Sequence, residues 1–370
     1  MRIAIDAIPL LLRSAGVKTY LLNWLIHMRR LCAPDEVLAW PFLDPREDFS
    51  HERSVAGRWG TLSRLALLHW NNCRFVPPLY WLGPRPDVFH ASHQMRRPPK
   101  RCKLTATIYD MTCWLAPDTH SPANVRALRR FAENVMLRAD GLIAISESSR
   151  QDAIRILSLK PDKVVVIYPG VAAAYFNVTA EQAAQAAAKY GLRKPYVLFV
   201  GTIEPRKNVD ALLDAWGRLP EDLREPHELV VAGAEGWASP RTLGRLKSGE
   251  GGVRYLGYVP EPDMPGLTAG AALLVYPSLY EGFGLPLAQA MAAGVPVVTS
   301  NVSSMPEVVG DAGLLADPRS EQEIAAAIRR LLESPDLRGA LAAKARARGA
   351  RFRWEAAAQQ SLEWFRAMAG

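Results

Sequence analysis

Two residue clusters in this 370-residue chain could handle a phosphorylated ligand rich in hydroxyls. The first is Glu281-Gly-Phe-Gly-Leu-Pro-Leu-Ala-Gln289, a carboxylate ahead of a glycine-rich turn that runs into an apolar, alanine-rich helical segment. Backbone N–H groups at a helix start lack intrahelical partners, and the helix dipole favours an anion there. Gly282 and Gly284 let a ligand approach the backbone of Gly282, Phe283, Gly284 and Leu285, while Glu281 and Gln289 can hold hydroxyls. The second cluster is Gly201-Thr-Ile-Glu-Pro-Arg-Lys-Asn208, which follows the strand-like run Tyr-Val-Leu-Phe-Val. Arg206 as a planar fork and Lys207 as a point charge fit a diphosphate. Cations merely facing solvent at a helix start would be opposed by the dipole.

Short apolar runs alternating with longer helical stretches must position these clusters. The first half offers strands at Arg2–Ala7, Val37–Pro41, Val88–His90, Thr105–Tyr109, Gly141–Ile145 and Lys163–Ile167. Its helices are Val17–Leu31, Ser121–Ala139 and Ser148–Leu157, the last with Ser148 and Gln151 as a capping box. The second half offers strands at Tyr196–Gly201, Glu228–Ala232, Val253–Leu256, Ala271–Tyr276, Val295–Thr299 and Gly313–Leu315. Its helices are Thr179–Tyr190, Val209–Arg218, Gly284–Ala293, Glu321–Glu333 and Ala340 onward. This alternation implies α/β architecture with parallel sheets covered on both faces, and two arrays imply two doubly wound domains. Ligands of such sheets bind beyond the carboxyl ends of the strands, so the two domains should enclose a cleft. The expected division is 1–173, 174–353 and a closing helix 354–370. That helix is too apolar for a free tail and should pack back on the first domain.

Composition narrows the class. The chain is 49% hydrophobic and 22% charged, which excludes disorder. The four cysteines show no metal-ligand spacing and read as free thiols of a reducing, cytoplasmic compartment. Met1-Arg-Ile-Ala-Ile-Asp6 enters a strand at once and reads as no signal peptide. Residues 1–175 hold 24 Lys and Arg against 15 Asp and Glu, whereas residues 176–370 hold 21 against 22. A basic first half suggests an anionic partner, such as a membrane surface or a charged acceptor; arginine-rich solvated surfaces are the plainer account.

The ordered set Gly201-Thr-x-Glu-x-Arg-Lys-Asn208, Gly257-Tyr-Val259, Glu281-Gly-Phe-Gly-Leu-Pro286, Pro306-Glu-Val-Val-Gly310 and Ala312-Gly-Leu-Leu315 resembles the family-4 retaining glycosyltransferases of the GT-B fold. The first half is similar more loosely, through Asp6 and the Gly16 loop, Tyr109-Asp110, and Ala139-Asp-Gly-Leu-Ile-Ala-Ile-Ser146. The resemblance implies a hexosyltransferase of polysaccharide biosynthesis, with two Rossmann-like domains facing across a cleft. It implies a nucleotide-diphosphate sugar as donor, a mannose- or other hexose-type sugar, a glycan or lipid-linked acceptor, and no metal or cofactor. The sequence contains no Asp-x-Asp pair. Fixed cations and backbone donors would then stabilise the leaving diphosphate. By resemblance, Glu281, Arg206, Lys207 and Asp110 are the catalytic candidates. Gly16, Gly201, Thr202, Arg206, Lys207, Tyr258, Val259, Glu281 through Leu285, and Gln289 are the donor-binding candidates.

Two departures from that family stand out. Gln289 occupies the place of a second glutamate and would hold a ribose diol without charge assistance. Tyr109 occupies the place of a histidine before Asp110. Arg13 and Lys18 flank Gly16 and suit either phosphate or solvent, and Ser300, Asn301 and Glu307 resemble a loop beside the nucleotide. His90 and His93 lack a third metal ligand. Arg96, Arg97, Lys100, Arg101 and Lys103 form a basic cluster that no nucleic-acid motif accompanies. The run Trp59–Phe75, mixing Trp, Leu and Arg, reads either as an interfacial amphipathic helix or as a helix packed on the sheet. An epimerase or phosphorylase of the same fold, and a non-catalytic nucleotide-sugar-binding subunit, are the alternatives in activity. No nucleic acid is expected as partner; an anionic membrane surface is a candidate partner beside the solvated-surface reading.

Overall fold

The computed structural model describes residues 1–12, 16–33, 36–41, 43, 54–73, 75, 85–237 and 240–370. By internal contacts the chain forms two units, one of Met1–Gly170 with Arg353–Gly370 and one of Val171–Phe352. Each is built on a six-stranded parallel sheet.

In the first unit the strands are β1 (Ile3–Asp6), β2 (Val37–Trp40), β3 (Val88–Ala91), β4 (Lys103–Ile108), β5 (Gly141–Ala144) and β6 (Val164–Val166), in the order β2-β1-β3-β4-β5-β6. Asp6 pairs with Trp40 in the parallel register of β1 and β2. The strands are largely apolar because both sheet faces are covered; Ile3, Ile5, Val37, Val88, Ala106 and Ile143 are buried. The helix Gly16–Leu31 lies against the closing helix Trp354–Ala369. Trp24 Nε1 donates to Ser361 Oγ at 2.9 Å, and Trp24 and Phe365 pack with ring centroids 5.9 Å apart. Gly170 lies so close to the backbone of Trp354 that a Cβ would meet its nitrogen at 2.1 Å.

In the second unit the strands are β7 (Tyr196–Val200), β8 (Glu228–Ala232), β9 (Val253–Gly257), β10 (Leu273–Tyr276), β11 (Val297–Ser300) and β12 (Gly313–Ala316), in the order β12-β11-β10-β7-β8-β9. Chain order reverses between β7 and β10, so the loops after these two strands open a crevice at the sheet's carboxyl edge. In the first unit the reversal falls between β1 and β3.

Three local expectations need correction. The helix Glu147–Leu157 is capped by Ser146, whose extended backbone places its hydroxyl 2.9 Å from Ser149 N; Ser148 lies inside the first turn and Gln151 bonds Glu147 instead. The stretch Ser121–Ala139 is not one helix. Val135 leaves helical geometry at φ −121° and ψ −65°, burying itself and Met136, and a 3-10 turn follows the helix Pro122–Asn134. The helix expected from Ala340 begins at Pro335, where proline costs no hydrogen bond and Ser334 caps Leu337 N.

Candidate active site

At the reversal point of the second sheet, the loop after β7 meets the loop after β10. Asn208, with φ of 58°, ends the first loop and begins the helix Val209–Gly217. Its amide donates to Pro277 O at 3.1 Å and to Pro318 O at 2.6 Å, tying three loops together. Leu279 N donates to Arg206 O at 2.8 Å, and the Arg206 guanidinium donates to Tyr280 O at 2.7 Å. Backbone and side chain of one residue thus fix the second loop against the first.

The charged groups converge there. Arg206 stands 2.7 Å from Glu281 Oε2, and Lys207 Nζ stands 2.7 Å from Glu281 Oε1. Arg206 also pairs with Glu204 Oε1 at 2.6 Å. Lys207 donates to the Tyr276 hydroxyl as well and lies 4.8 Å from that ring's centroid. Glu204, Lys207 and Glu281 are all buried. Burial pushes the Glu281 carboxyl up, but the two cations outweigh it and draw it down to about 2. Burial lowers Lys207, with Glu281 opposing. Burial and the Glu281 charge hold the Tyr276 hydroxyl well above its usual range.

The backbone of Glu281 is clamped from the loop after β11. Ser303 Oγ accepts from Glu281 N at 3.0 Å and donates to Glu281 O, and Ser304 Oγ donates to that carbonyl at 3.0 Å. Ser303 does this from a left-handed backbone at φ of 59°, a strained conformation for a residue with a Cβ. Gly284, at φ of 90°, then turns the chain into the helix Leu285–Ala292, whose amino end carries Pro286 in its first turn. Phe283 is buried and packs edge-on to Phe352 at 5.3 Å. Leu285 and Gln289 are partly exposed on that helix, and the Gln289 side chain makes no hydrogen bond with the described residues.

The loops after β7, β8 and β9 lie side by side. A Cβ at Gly233 would fall 1.8 Å from Gly201 O, so only glycine fits. Gly233 N donates to Gly257 O at 2.8 Å, and the Tyr255 hydroxyl donates to Gly233 O at 3.0 Å. Thr202 is half-buried, Val259 is buried and Tyr258 is exposed. Ser300 Oγ braces Ser278 O at 2.7 Å, Asn301 N donates to Ala316 O at 2.9 Å, and Glu307 lies on the short helix Met305–Val309.

In the first unit, the corresponding edge holds a buried carboxylate. Asp6 accepts from Ile8 N at 3.1 Å and from Ser92 Oγ at 2.6 Å, linking the ends of β1 and β3. Burial raises it to about 6, against these bonds. Asp110 uses one carboxylate oxygen, Oδ1, to accept from Thr112 N at 3.0 Å and from the Thr112 hydroxyl. Tyr109 meets Tyr20 edge-on at 5.3 Å. Gly16 is exposed with open space where a Cβ would stand, and no steric need for glycine is evident at that point. Lys18 is buried and donates to Leu12 O at 3.3 Å, so it does not face solvent; Arg13 lies outside the described residues. His90 is a core residue. Its ring nitrogens stand 3.1 and 3.0 Å from the Thr105 and Thr107 hydroxyls, and burial lowers it to about 3. His93 pairs with Gln94. Among the described residues no three His, Cys, Asp or Glu side chains gather as a metal-binding set.

Sequence reasoning assigned no role to Glu204, Tyr276, Ser303, Ser304 or Gly233. Glu204 stood inside a quoted motif and Ser303 inside a flagged loop. Tyr276 and Gly233, at or just past strand ends, had only their place in the alternation to mark them.

Comparison with known proteins agrees with this geometry. Residues 15–175 match the model described as Glycosyltransferase Family 4, and residues 182–348 match Glycosyl transferases group 1. The chain is 36% identical over 281 residues to O-antigen chain mannosyltransferase B of Escherichia coli, covering 75% of this chain and 72% of that one. It is 32% identical over 234 residues to the serotype-specific mannosyltransferase WbdA of the same organism, covering 62% of this chain but only 29% of WbdA. The crystal structure of Anabaena HepE with UDP and glucose superposes with a TM-score of 0.73 at 20% identity, covering 99% of this chain and all of that one, which shows the shared fold.

Proposed function

This chain belongs to the family-4 glycosyltransferases of GT-B fold, and we propose that it moves a mannose-type hexose from a nucleoside diphosphate donor to a growing glycan or lipid-linked acceptor, retaining the anomeric configuration without a metal. One observation carries the reading. Arg206 and Lys207 converge on Glu281 at the reversal point of the second sheet, where ligands of this architecture bind. Mannose is the sugar we assign because two relatives above 30% identity are named mannosyltransferases.

The resting site balances two cations against Glu204 and Glu281. The carboxylates hold the cations extended and ready, so little reorganisation accompanies donor entry. Lys207 has used two of its three N–H donors, on Tyr276 and Glu281, which leaves one for a phosphate oxygen. Each Glu281 oxygen accepts one bond from these cations, and its remaining lone pairs can take sugar hydroxyls. The helix Leu285–Ala292 adds its positive dipole end to the same locus.

In the reaction, the acceptor oxygen bonds to the anomeric carbon as the bond from that carbon to the diphosphate oxygen breaks. The leaving diphosphate takes the electron pair, stabilised by Arg206 and Lys207, and a phosphate oxygen accepts the acceptor's proton on the same face. Asp110, with Oδ2 not engaged by Thr112, is assigned to orient a hydroxyl.

The test is a thermal-shift and turnover screen with GDP-mannose, UDP-glucose and ADP-glucose. At least one donor should raise the melting temperature and be turned over. Arg206→Ala with Lys207→Ala should abolish that rise and lower kcat/KM by about a thousandfold or more. A donor-induced rise that survives in the double variant would refute the diphosphate assignment. Proton NMR of the product reads the anomeric outcome, and turnover undiminished by EDTA is expected.

A further inference from the structure

We propose that the second unit holds one sugar residue of a glycan chain in a pocket at the amino edge of its sheet. The pocket has a volume of about 360 Å³. Lys194 lies just before β7, Glu228 begins β8 and Arg254 is the second residue of β9, so three neighbouring strands supply its wall. β7 and β8 are five residues each, which sets this edge about 16 Å from the loops that carry Arg206, Lys207 and Gly233. The pocket is therefore a different site from the donor crevice. Glycines keep it open. The chain returns from the helix Pro240–Ser248 to β9 through Gly249, Gly251 and Gly252, with φ of 68°, 68° and 80°. A Cβ at Gly251 would stand 3.8 Å from Arg224 Nη1, and one at Gly252 would stand 4.0 Å from His227 O, so a side chain at either would fill space that now lies open.

Glu228 is the group that points to a ligand. It is 9% exposed and lines the pocket, and its Oε2 is buried with no hydrogen bond from the described residues. Arg254 Nε stands 3.6 Å away, close enough to balance the charge but too far for a hydrogen bond. The other nitrogens of that guanidinium donate to Tyr190 O at 2.9 Å and Gly191 O at 3.3 Å. A buried acceptor in this state calls for a donor from outside the fold. Arg224 offers the opposite: its Nε donates to Leu219 O at 3.0 Å, and its terminal nitrogens make no hydrogen bond with the described residues. Charge then selects the occupant. Lys194, Arg224 and Arg254 are matched by Glu221, Glu225 and Glu228, so the lining as a whole favours neither an anion nor a cation. Val253 is the one aliphatic side chain of the lining, which leaves an apolar ligand little to pack on. A hydroxyl both donates and accepts, so a sugar ring can satisfy Glu228 with one hydroxyl and Arg224 with another. Glu221, Glu225 and Gly251 are exposed, so the glycan can continue into solvent beyond the bound residue. A second hold of this kind keeps a growing chain near the enzyme between additions.

The pocket stands without the donor-site reading; only the choice of mannose as probe rests on it. Hydrogen–deuterium exchange of the full chain would be followed with α-linked mannotriose, maltotriose, mannose 6-phosphate or glycerol. Mannotriose should slow exchange in residues 220–228 and 249–256. Glu228→Gln and Arg224→Ala should each raise the concentration needed by about tenfold or more, while keeping the parent melting temperature and donor-induced shift. Arg206→Ala with Lys207→Ala should leave the slowing in place, which separates this pocket from the donor site. Slowing by maltotriose in place of mannotriose would support the pocket and overturn the mannose reading alone. No slowing with either trisaccharide, slowing unchanged in both pocket variants, a stronger effect of mannose 6-phosphate, or an equal effect of glycerol would overturn the proposal.

Discussion

Glu281 and Asp6 are both buried carboxylates at sheet edges, and they titrate in opposite directions. Two cations hold Glu281 at about 2, below its ordinary 4.5. Its contribution to stability is complete above the ordinary value and is lost as pH falls towards 2. Among the described residues no cation pairs with Asp6, and burial raises it from 3.8 to about 6. Its contribution is complete below 3.8 and is lost as pH rises through 6. Asp6→Asn should therefore gain melting temperature relative to the parent between about pH 4 and pH 7, because the parent carries a penalty there that the amide does not. A constant difference across that range would remove Asp6 as the source. Gln289 permits a simpler test. Among the described residues its side chain has no hydrogen-bond partner, so Gln289→Glu should keep activity within a few fold, by turnover, and tighten the donor if a ribose diol is its partner. Complete loss of turnover would show that the amide has a function a carboxylate cannot supply.

At the scale of elements, function depends on how closely neighbouring loops approach. Gly233→Ala would place a methyl group 1.8 Å from Gly201 O and push the loop that carries Arg206 and Lys207. Overpacking of this kind costs about 1–3 kcal/mol. A denaturant midpoint reads that loss, and donor affinity should fall by about tenfold or more; an unchanged affinity would separate the loop's position from binding. The strands themselves were legible in sequence, because covered parallel strands are unbroken apolar runs such as Tyr196–Val200. Their ends shifted by a residue or two. The helix interruption at Val135 was not legible, because periodicity continues through a break that tertiary burial imposes. Nor was the pairing of Lys207 with Glu281 across 74 residues, although each stood inside a flagged motif. Local spacing marks a loop as unusual, but only sheet order brings two loops together. The same limit hid Ser303, whose value lies in a strained backbone that clamps a residue from another loop.

At the scale of the molecule, each unit has its own sheet and its own buried core. The separate segment Val171–Phe352 should therefore fold and be stabilised by a donor nucleotide, as calorimetry would show; an unfolded segment would mean that its core needs the rest of the chain. The first unit is different, since its last helix, Trp354–Ala369, is encoded beyond the whole of Val171–Phe352. A ribosome releases residues in order, so Trp24 and the inner face of Gly16–Leu31 wait uncovered while the second unit emerges and folds. The earliest-made half of the enzyme is then the last to be completed, and a quality-control protease or chaperone meeting the nascent chain would find its exposed seam there.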